Sequence, residues 1–460
     1  MPGARGEAQA NECPGAIKCP MGDECFAEAA RQRAEDADVV VVNAYLYGVH
    51  LASGGHVLPE HEVVVIDEAH QLEDVAAHTL GLELGGGRFV TLARALRGIL
   101  ADAADAAPIE EAGRRLEAAI EPHRGRRLDP ASLSAISTTL AVGAERISRA
   151  IGVLRGVKPP PGPAAAKKER AMKAATSLAE DIAAGATPGE DDVAWVEGPP
   201  HAPVLRVAPV DVGPLLAEKL WRHHTAVLTS ATIPIGLPDR VGLAPATYDQ
   251  LDVGSPFDFE EHALLYCAAH LPDPRHPDYE PAVIEELAAL LRAAGGRTLA
   301  LFTSWRMMRL AAEKLAPELP YRVLTQDELP KPALVRAFAG DESSCLFATM
   351  GFWQGVDVPG RALSMVVIDK LPFARPDEPL AQARRERAGP AAFRAVDLPR
   401  AATMLAQGAG RLIRSATDRG VVAVLDSRLA TAGYRWDLVR ALPPMRRTAD
   451  RDEVAIFLAQ

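Results

Sequence analysis

The second half of the chain carries six apolar runs: ALLYCA, RTLALFTS, YRVLTQ, SCLFATM, LSMVVIDKLPF and GVVAVLDSR. Helix-like segments separate most of them. A strand that is apolar at nearly every position needs cover on both faces. Such strands alternating with helices indicate a parallel sheet between helices, an α/β fold. The same texture appears earlier, in VVVVNAYL (39–46), VVVIDEAH (63–70) and TAVLTSAT (225–232), so strands are expected there too, with a helix opening at the DEAH residues. From about 83 to 200 the texture changes. EEAGRRLEAAIEPH, SLSAISTTLAVGAERISRAIGVL and KKERAMKAATSLAEDIAAG are Ala-rich and helical, broken by KPPPGPAAAKK. This stretch reads as a helical insertion with a Pro-rich joint.

The 460 residues suffice for two or three domains with their own cores. No run approaches the roughly 20 apolar residues that cross a bilayer. The first residues, MPGARGEAQANECPG, hold no signal-like apolar core, so no membrane association and a cytoplasmic location are expected. A net charge of -11 argues against a surface coated in positive charge, but a narrow basic groove can sit on an acidic body. Of five cysteines, Cys267 and Cys345 lie in apolar runs and read as core residues. Cys13, Cys19 and Cys25 are clustered in a polar setting, which suggests a metal site rather than disulfides.

Four motifs carry candidate chemistry. Asp67 and Glu68 follow a buried-looking strand, where a carboxylate can orient magnesium beside a nucleotide and its neighbour can activate water. The plainer reading is an acidic pair opening a helix. Ser230 and Thr232 in TSAT close another apolar run, as helix caps commonly do. In GFWQGVDVPG (351–360), Gly351, Gly355 and Gly360 permit tight turns near a ligand, and Asp357 could accept a hydrogen bond; Trp353 reads as a packing residue. In QGAGRLIRS, Gln407, Gly410, Arg411 and Arg414 fall at i, i+3, i+4 and i+7, one face if helical. Two guanidiniums beside a glutamine suit a γ-phosphate, whereas RxxR alone is more often a solvated basic face.

Taken in order, VVVIDEAH, TSAT, FTS, GFWQGVDVPG and QGAGRLIRS resemble superfamily 2 helicases, and among them the DinG/XPD type of iron–sulfur DNA helicase. VVIDKLPFARPDEP, D-RG-VVAVLDSR, ECPGAIKCPMGDECF and WVEGPPHAPVLRVAPVDVGPLLAEKLW add to the resemblance, which spans nearly the whole chain. It implies two RecA-like motor domains. The first, incomplete, would comprise 36–82 and 201–240, and the second 241–460; 1–35 would be a partial cluster domain and 83–200 an arch-like insertion. It implies ATP and Mg2+ as cofactors, with Asp67 on the metal and Glu68 on the water. His70 would couple them to Ser230 and Thr232. Gly355 and Asp357 would lie at the interdomain cleft, with Gln407, Gly410, Arg411 and Arg414 reaching ATP from the second motor. Cys13, Cys19 and Cys25 would be three of four thiolates on a 4Fe-4S cluster. Single-stranded and forked DNA would be the substrates, of a 5′-to-3′ and monomeric motor.

The chain departs from the pattern in lacking any Gly-Lys dipeptide and a fourth clustered cysteine. Both family elements lie N-terminal to Cys13, so one lost segment would account for both. ATP hydrolysis by these residues alone is therefore expected to be defective. Two other readings stand beside this one: a DNA-binding or regulatory remnant without hydrolysis, and a zinc site made from the cysteines plus His50, His56 or His61.

Overall fold

The computed structural model describes residues 24–100, 106–160, 162–353, 358 and 362–460. Cys13, Cys19, Gly355 and Asp357 lie outside the described residues. The chain forms two compact units. One takes residues up to Ser230, Gly236–Tyr248 and Arg375–Gly389; the other takes Ala231–Ile235, Asp249–Ala374 and Pro390–Gln460.

The first unit runs α1 (Phe26–Glu35), α2 (Ala44–Ala52), β1 (Val63–Ile66), α3 (Leu72–Thr79), β2 (Leu82–Gly85), α4 (Gly86–Arg97), α5 (Ala107–Ile120), α6 (Pro130–Gly156), α7 (Pro163–Ala186), β3 (Asp192–Glu197), β4 (Val204–Pro209), α8 (Gly213–Leu216), β5 (Thr225–Leu228) and α9 (Leu237–Arg240). β1 and β5 pair in parallel, from Val63 opposite Thr225 to Ile66 opposite Leu228. Ile66 packs with Ala69, Leu72, Ala76, Val212 and Leu216, while Val63, Val65 and Val227 are exposed. The expected strand VVVVNAYL is not one. Residues 39–43 form no strand, Val39 and Val41 are exposed, and β1 pairs only with β5 among the described residues. A β-branched run needs a neighbour to pack and ladder against. Asn43 instead caps α2, its Oδ1 accepting from Leu46 N at 2.7 Å. The helix expected at DEAH begins later: Ala69–Gln71 is a 3-10 turn, and α3 starts at Leu72.

The insertion is helical as read, but it also contains a sheet. β2, β4 and β3 form an antiparallel sheet in that order against the helices α4 to α7, over a core that includes Phe89, Leu96, Leu116, Leu140 and Leu178. β4 lies beyond residue 200 and pairs with β2 and β3, so the expected boundary there cuts through this sheet. The strands are short and half-polar, and their identity comes from mutual pairing rather than from a continuous apolar run. Asp129 caps the long helix α6, its Oδ1 accepting from Ser132 N at 2.8 Å, with Pro130 at the first helical position.

The second part of the chain runs α10 (Phe259–His262), β6 (Ala263–Cys267), α11 (Tyr279–Ala294), β7 (Thr298–Phe302), α12 (Trp305–Leu315), β8 (Val323–Thr325), α13 (Lys331–Ala339), β9 (Cys345–Thr349), β10 (Met365–Ile368), α14 (Pro379–Ala388), α15 (Leu398–Ala409), β11 (Gly420–Val424), α16 (Arg428–Thr431), α17 (Arg435–Ala441), β12 (Arg446–Thr448) and α18 (Arg451–Ala459). All six expected runs are strands, and the sheet order is β12-β6-β11-β10-β7-β9-β8. Every pairing is parallel. One apolar core covers each face, with Cys345 fully buried in β9. β12, with the sequence RRT, was not legible as a strand.

α14 departs from the division expected at 240/241. It follows β10 in sequence yet packs in the first unit. Arg384 bonds Glu73 at 3.1 Å and Asp74 at 2.8 Å, both on α3. Arg387 reaches Asp191 and Asp211, and Arg127 pairs with Glu386. In the second unit, the rings of Phe373 and Phe393, which flank this segment, lie 5.7 Å apart, with Tyr434 5.0 Å from Phe393.

Candidate nucleotide-binding elements

In the first unit, the turn after β1 carries the carboxylate pair. Glu68 has φ 51° and ψ 44°, a left-handed conformation that non-glycine residues rarely adopt. Such strain concentrates at functional sites. The turn is held from both sides. Asp67 Oδ1 accepts from Glu68 N at 2.9 Å and from Thr229 Oγ1 at 2.8 Å. Ala69 N donates to Thr229 O, and Thr229 N to Ile66 O, each at 2.9 Å. His70 Nδ1 lies 2.9 Å from Ser230 Oγ and 3.4 Å from Glu68 Oε2, with its side chain 5% exposed. Asp67 and Glu68 are both exposed at the carboxyl end of β1. Two solvent-facing carboxylates, one braced by a hydroxyl and the other beside a buried imidazole, suit a hydrated divalent cation and an attacking water. Sequence reading placed His70 with Ser230 but missed Thr229. Thr232 lies two residues beyond Ser230, in the segment grouped with the second unit.

The second unit holds the arginine motif, but not on one helix face. α15 ends at Ala409 and Gly410 is its C-cap, so Gln407 is helical while Arg411 and Arg414 lie in the following loop. Two causes turn the chain. Leu412 and Ile413 are adjacent and both buried, each 2% exposed, which one helix face cannot arrange as readily. The Asp418 carboxylate accepts from Arg414 N and Ser415 N, both at 2.8 Å, capturing amides a helix would bond. Arg411 Nε donates to Trp353 O at 2.9 Å. Lys331 Nζ donates to Gly351 O at 2.7 Å, and its pKa is pushed down by burial and then by Arg411. Two cations therefore gather on the carbonyls of the 351–353 turn, and Lys331 was invisible in the sequence motifs. Trp353 is fully buried, as expected of a packing residue. A Cβ at Gly408 would come within 3.3 Å of its ring, a tight contact that glycine relieves where α15 packs on the indole.

The strand ends of this sheet hold buried carboxylates. Asp369 accepts from Thr303 N at 2.8 Å, and burial pushes its pKa up to about 7. Asp426 is fully buried and forms a two-bond pair with Arg428, at 2.9 and 2.6 Å.

Cys25 precedes α1 and is partly exposed. Among the described residues no group of His, Cys, Asp or Glu is placed to hold a metal. Two histidines of the zinc alternative make hydrogen bonds. His50 Nδ1 accepts from Leu58 N at 3.0 Å. His61 Nδ1 faces Pro59 O at 2.9 Å, and its Nε2 meets Tyr47 OH at 3.1 Å.

Comparison with known proteins identifies the family. Residues 287–445 match the family described as Helicase C-terminal domain. ATP-dependent helicase DinG of Mycobacterium tuberculosis is 40% identical over 468 residues, covering 98% of this chain and 70% of that protein. ATP-dependent DNA helicase YoaA of Escherichia coli is 34% identical over 466 residues, covering 96% and 72%. A solved structure of Xpd4 from S. tokodaii shares the fold, with TM-score 0.53 at 16% identity over 85% of this chain and 77% of that one. The protein is thus a superfamily 2 helicase with an α/β motor fold. Within that class the chain belongs to the DinG-like ATP-dependent helicases. No described helix is long and apolar enough to cross a membrane.

Proposed function

We propose that this protein couples ATP hydrolysis to movement along single-stranded DNA and to the opening of forked DNA, 5′ to 3′ and as a monomer. The observation that supports this most is the double link from the carboxylate turn to the end of β5, Asp67 to Thr229 and His70 to Ser230. In this reading Asp67 holds the Mg2+ of the bound nucleotide, and Glu68 orients water and takes its proton. His70, Ser230 and Thr232 relay the state of that turn to the rest of the protein. Arg411 and Arg414 neutralise charge on the γ-phosphate, with Gln407 and Gly410 beside them. Gly355 and Asp357 belong to the adjoining loop. Cys13, Cys19 and Cys25 are assigned to a 4Fe-4S cluster, whose chemistry takes four thiolates; no step of hydrolysis runs through it. A cytoplasmic site of action fits these substrates.

DNA-stimulated ATP hydrolysis tests the reading. In a chimaera that joins these residues to a Gly-Lys-Ser/Thr loop, Glu68→Gln is expected to lower the rate by about 10²–10⁴-fold with DNA affinity unchanged. Equal rates for the two would refute the role of Glu68. The 460 residues contain no Gly-Lys-Ser/Thr loop. By themselves they are expected to bind DNA and hydrolyse ATP poorly, and brisk DNA-stimulated turnover by them would overturn that expectation. DNA binding with no effect of nucleotide in that chimaera would favour the non-catalytic remnant.

A further inference from the structure

The motor motifs leave one exposed aromatic–cation cluster unused. Trp436, the second residue of α17, is 45% exposed. The opposite side of this short helix is anchored by fully buried Leu438. The guanidinium carbons of Arg435 and Arg447 lie 5.1 and 5.4 Å from the indole centroid. Arg447 comes from β12, the edge strand of the sheet, where it sits opposite Leu265.

Other exposed arginines near this edge are already neutralised. Arg446 pairs with Glu453 at 3.3 Å, and Arg440 with Asp437. The exposed Trp305 has Arg309 beside it, but Asp327 holds that arginine at 3.1 Å. By contrast, neither Arg435 nor Arg447 has a carboxylate partner among the described residues; Arg435 donates only to Ala432 O. On a chain with net charge -11, two unneutralised guanidiniums around one exposed indole form a local site for a polyanion with flat rings.

We propose that Trp436, Arg435 and Arg447 form a contact site for single-stranded DNA, with a base stacking on the indole and phosphates meeting the guanidiniums. Stacking on an aromatic ring accepts any base, as a translocating protein requires. The site deepens the DNA-binding reading above and rests on it. The plainer account of Arg447 is a charge that keeps an edge strand from pairing with another chain. A glutamate would serve that purpose equally well, and the two accounts separate on this point.

The experiment measures fluorescence anisotropy of a labelled oligo-dT with the full chain at two salt concentrations. Trp436→Ala is expected to weaken binding about tenfold, and Trp436→Phe, which keeps a ring, by no more than about threefold. Arg447→Ala should make the slope of log affinity against log salt shallower by about 0.7. Arg447→Glu should weaken binding beyond the alanine variant, while leaving the protein unaggregated. The residues are exposed, so circular dichroism and melting of all four variants should match wild type. Wild-type affinity in Trp436→Ala, or in Arg447→Glu, overturns the proposal. So does a wild-type chain that binds polyglutamate at this tryptophan in preference to oligo-dT. If the wild-type chain does not bind oligo-dT at all, the DNA-binding reading itself fails.

Discussion

At the scale of single residues, the chemistry depends on partners distant in sequence. Asp67, Glu68 and His70 could be read directly, because they are contiguous and follow an apolar run. Thr229 could not, since its role is a hydroxyl bond to a carboxylate 162 positions away. Lys331 and Asp418 escaped for the same reason: each is defined by the backbone groups it meets. His50 offers a test of a buried residue of this kind. It is 4% exposed, and burial, then His61, His224 and His56, push its pKa from 6.5 down to about 4. The unfolded chain therefore binds this proton first as pH falls. His50 contributes no penalty above pH 6.5, and stability is lost progressively from about pH 6.5 to 4, by up to about 3 kcal/mol. Urea unfolding of the first unit, followed across that range, should show a shallower acid loss in His50→Gln than in wild type. An identical pH profile in the variant would remove His50 as the cause.

Among the elements, α14 shows what local propensity cannot say. PLAQARRERA reads as a helix anywhere, yet its seat in the first unit is set by Arg384, whose side chain is only 11% exposed among Glu73, Asp74 and Val210 O. Arg387, 48% exposed, makes wetter pairs, at 2.8 Å to Asp191 and 3.4 Å to Asp211. Arg384→Ala is expected to cost about 2 kcal/mol and to speed amide exchange across 379–388. Arg387→Ala should cost at most about 0.5 kcal/mol. Hydrogen exchange by mass spectrometry distinguishes them, and equal exchange in the two variants would contradict the seat assigned to Arg384. VVVVNAYL and QGAGRLIRS teach the same point in reverse. Each has a clear local pattern, strand in one and helix face in the other. The lack of a ladder partner among the described residues and the Asp418 carboxylate, respectively, decide otherwise.

For the whole molecule, an acidic chain that handles DNA must do so through local basic sites, not through its overall field. Its affinity for single-stranded DNA should fall with salt by about 0.7 log units per log unit for each phosphate contacted. Titrations between low and physiological salt measure this, and a salt-independent affinity would rule out phosphate contacts as the source of binding. The sequence by itself determined the parallel sheet, the helical character of the insertion, and the residues of the carboxylate and arginine motifs. These follow from apolar periodicity and from chemistry carried by neighbouring residues. Only the tertiary structure decided that Thr229 braces Asp67, that α15 stops before Arg411, that β4 belongs to the insertion's sheet, and that α14 is held by α3. Each of these depends on which distant groups are left to complete a hydrogen bond or neutralise a charge once water has been excluded, and local sequence does not record that.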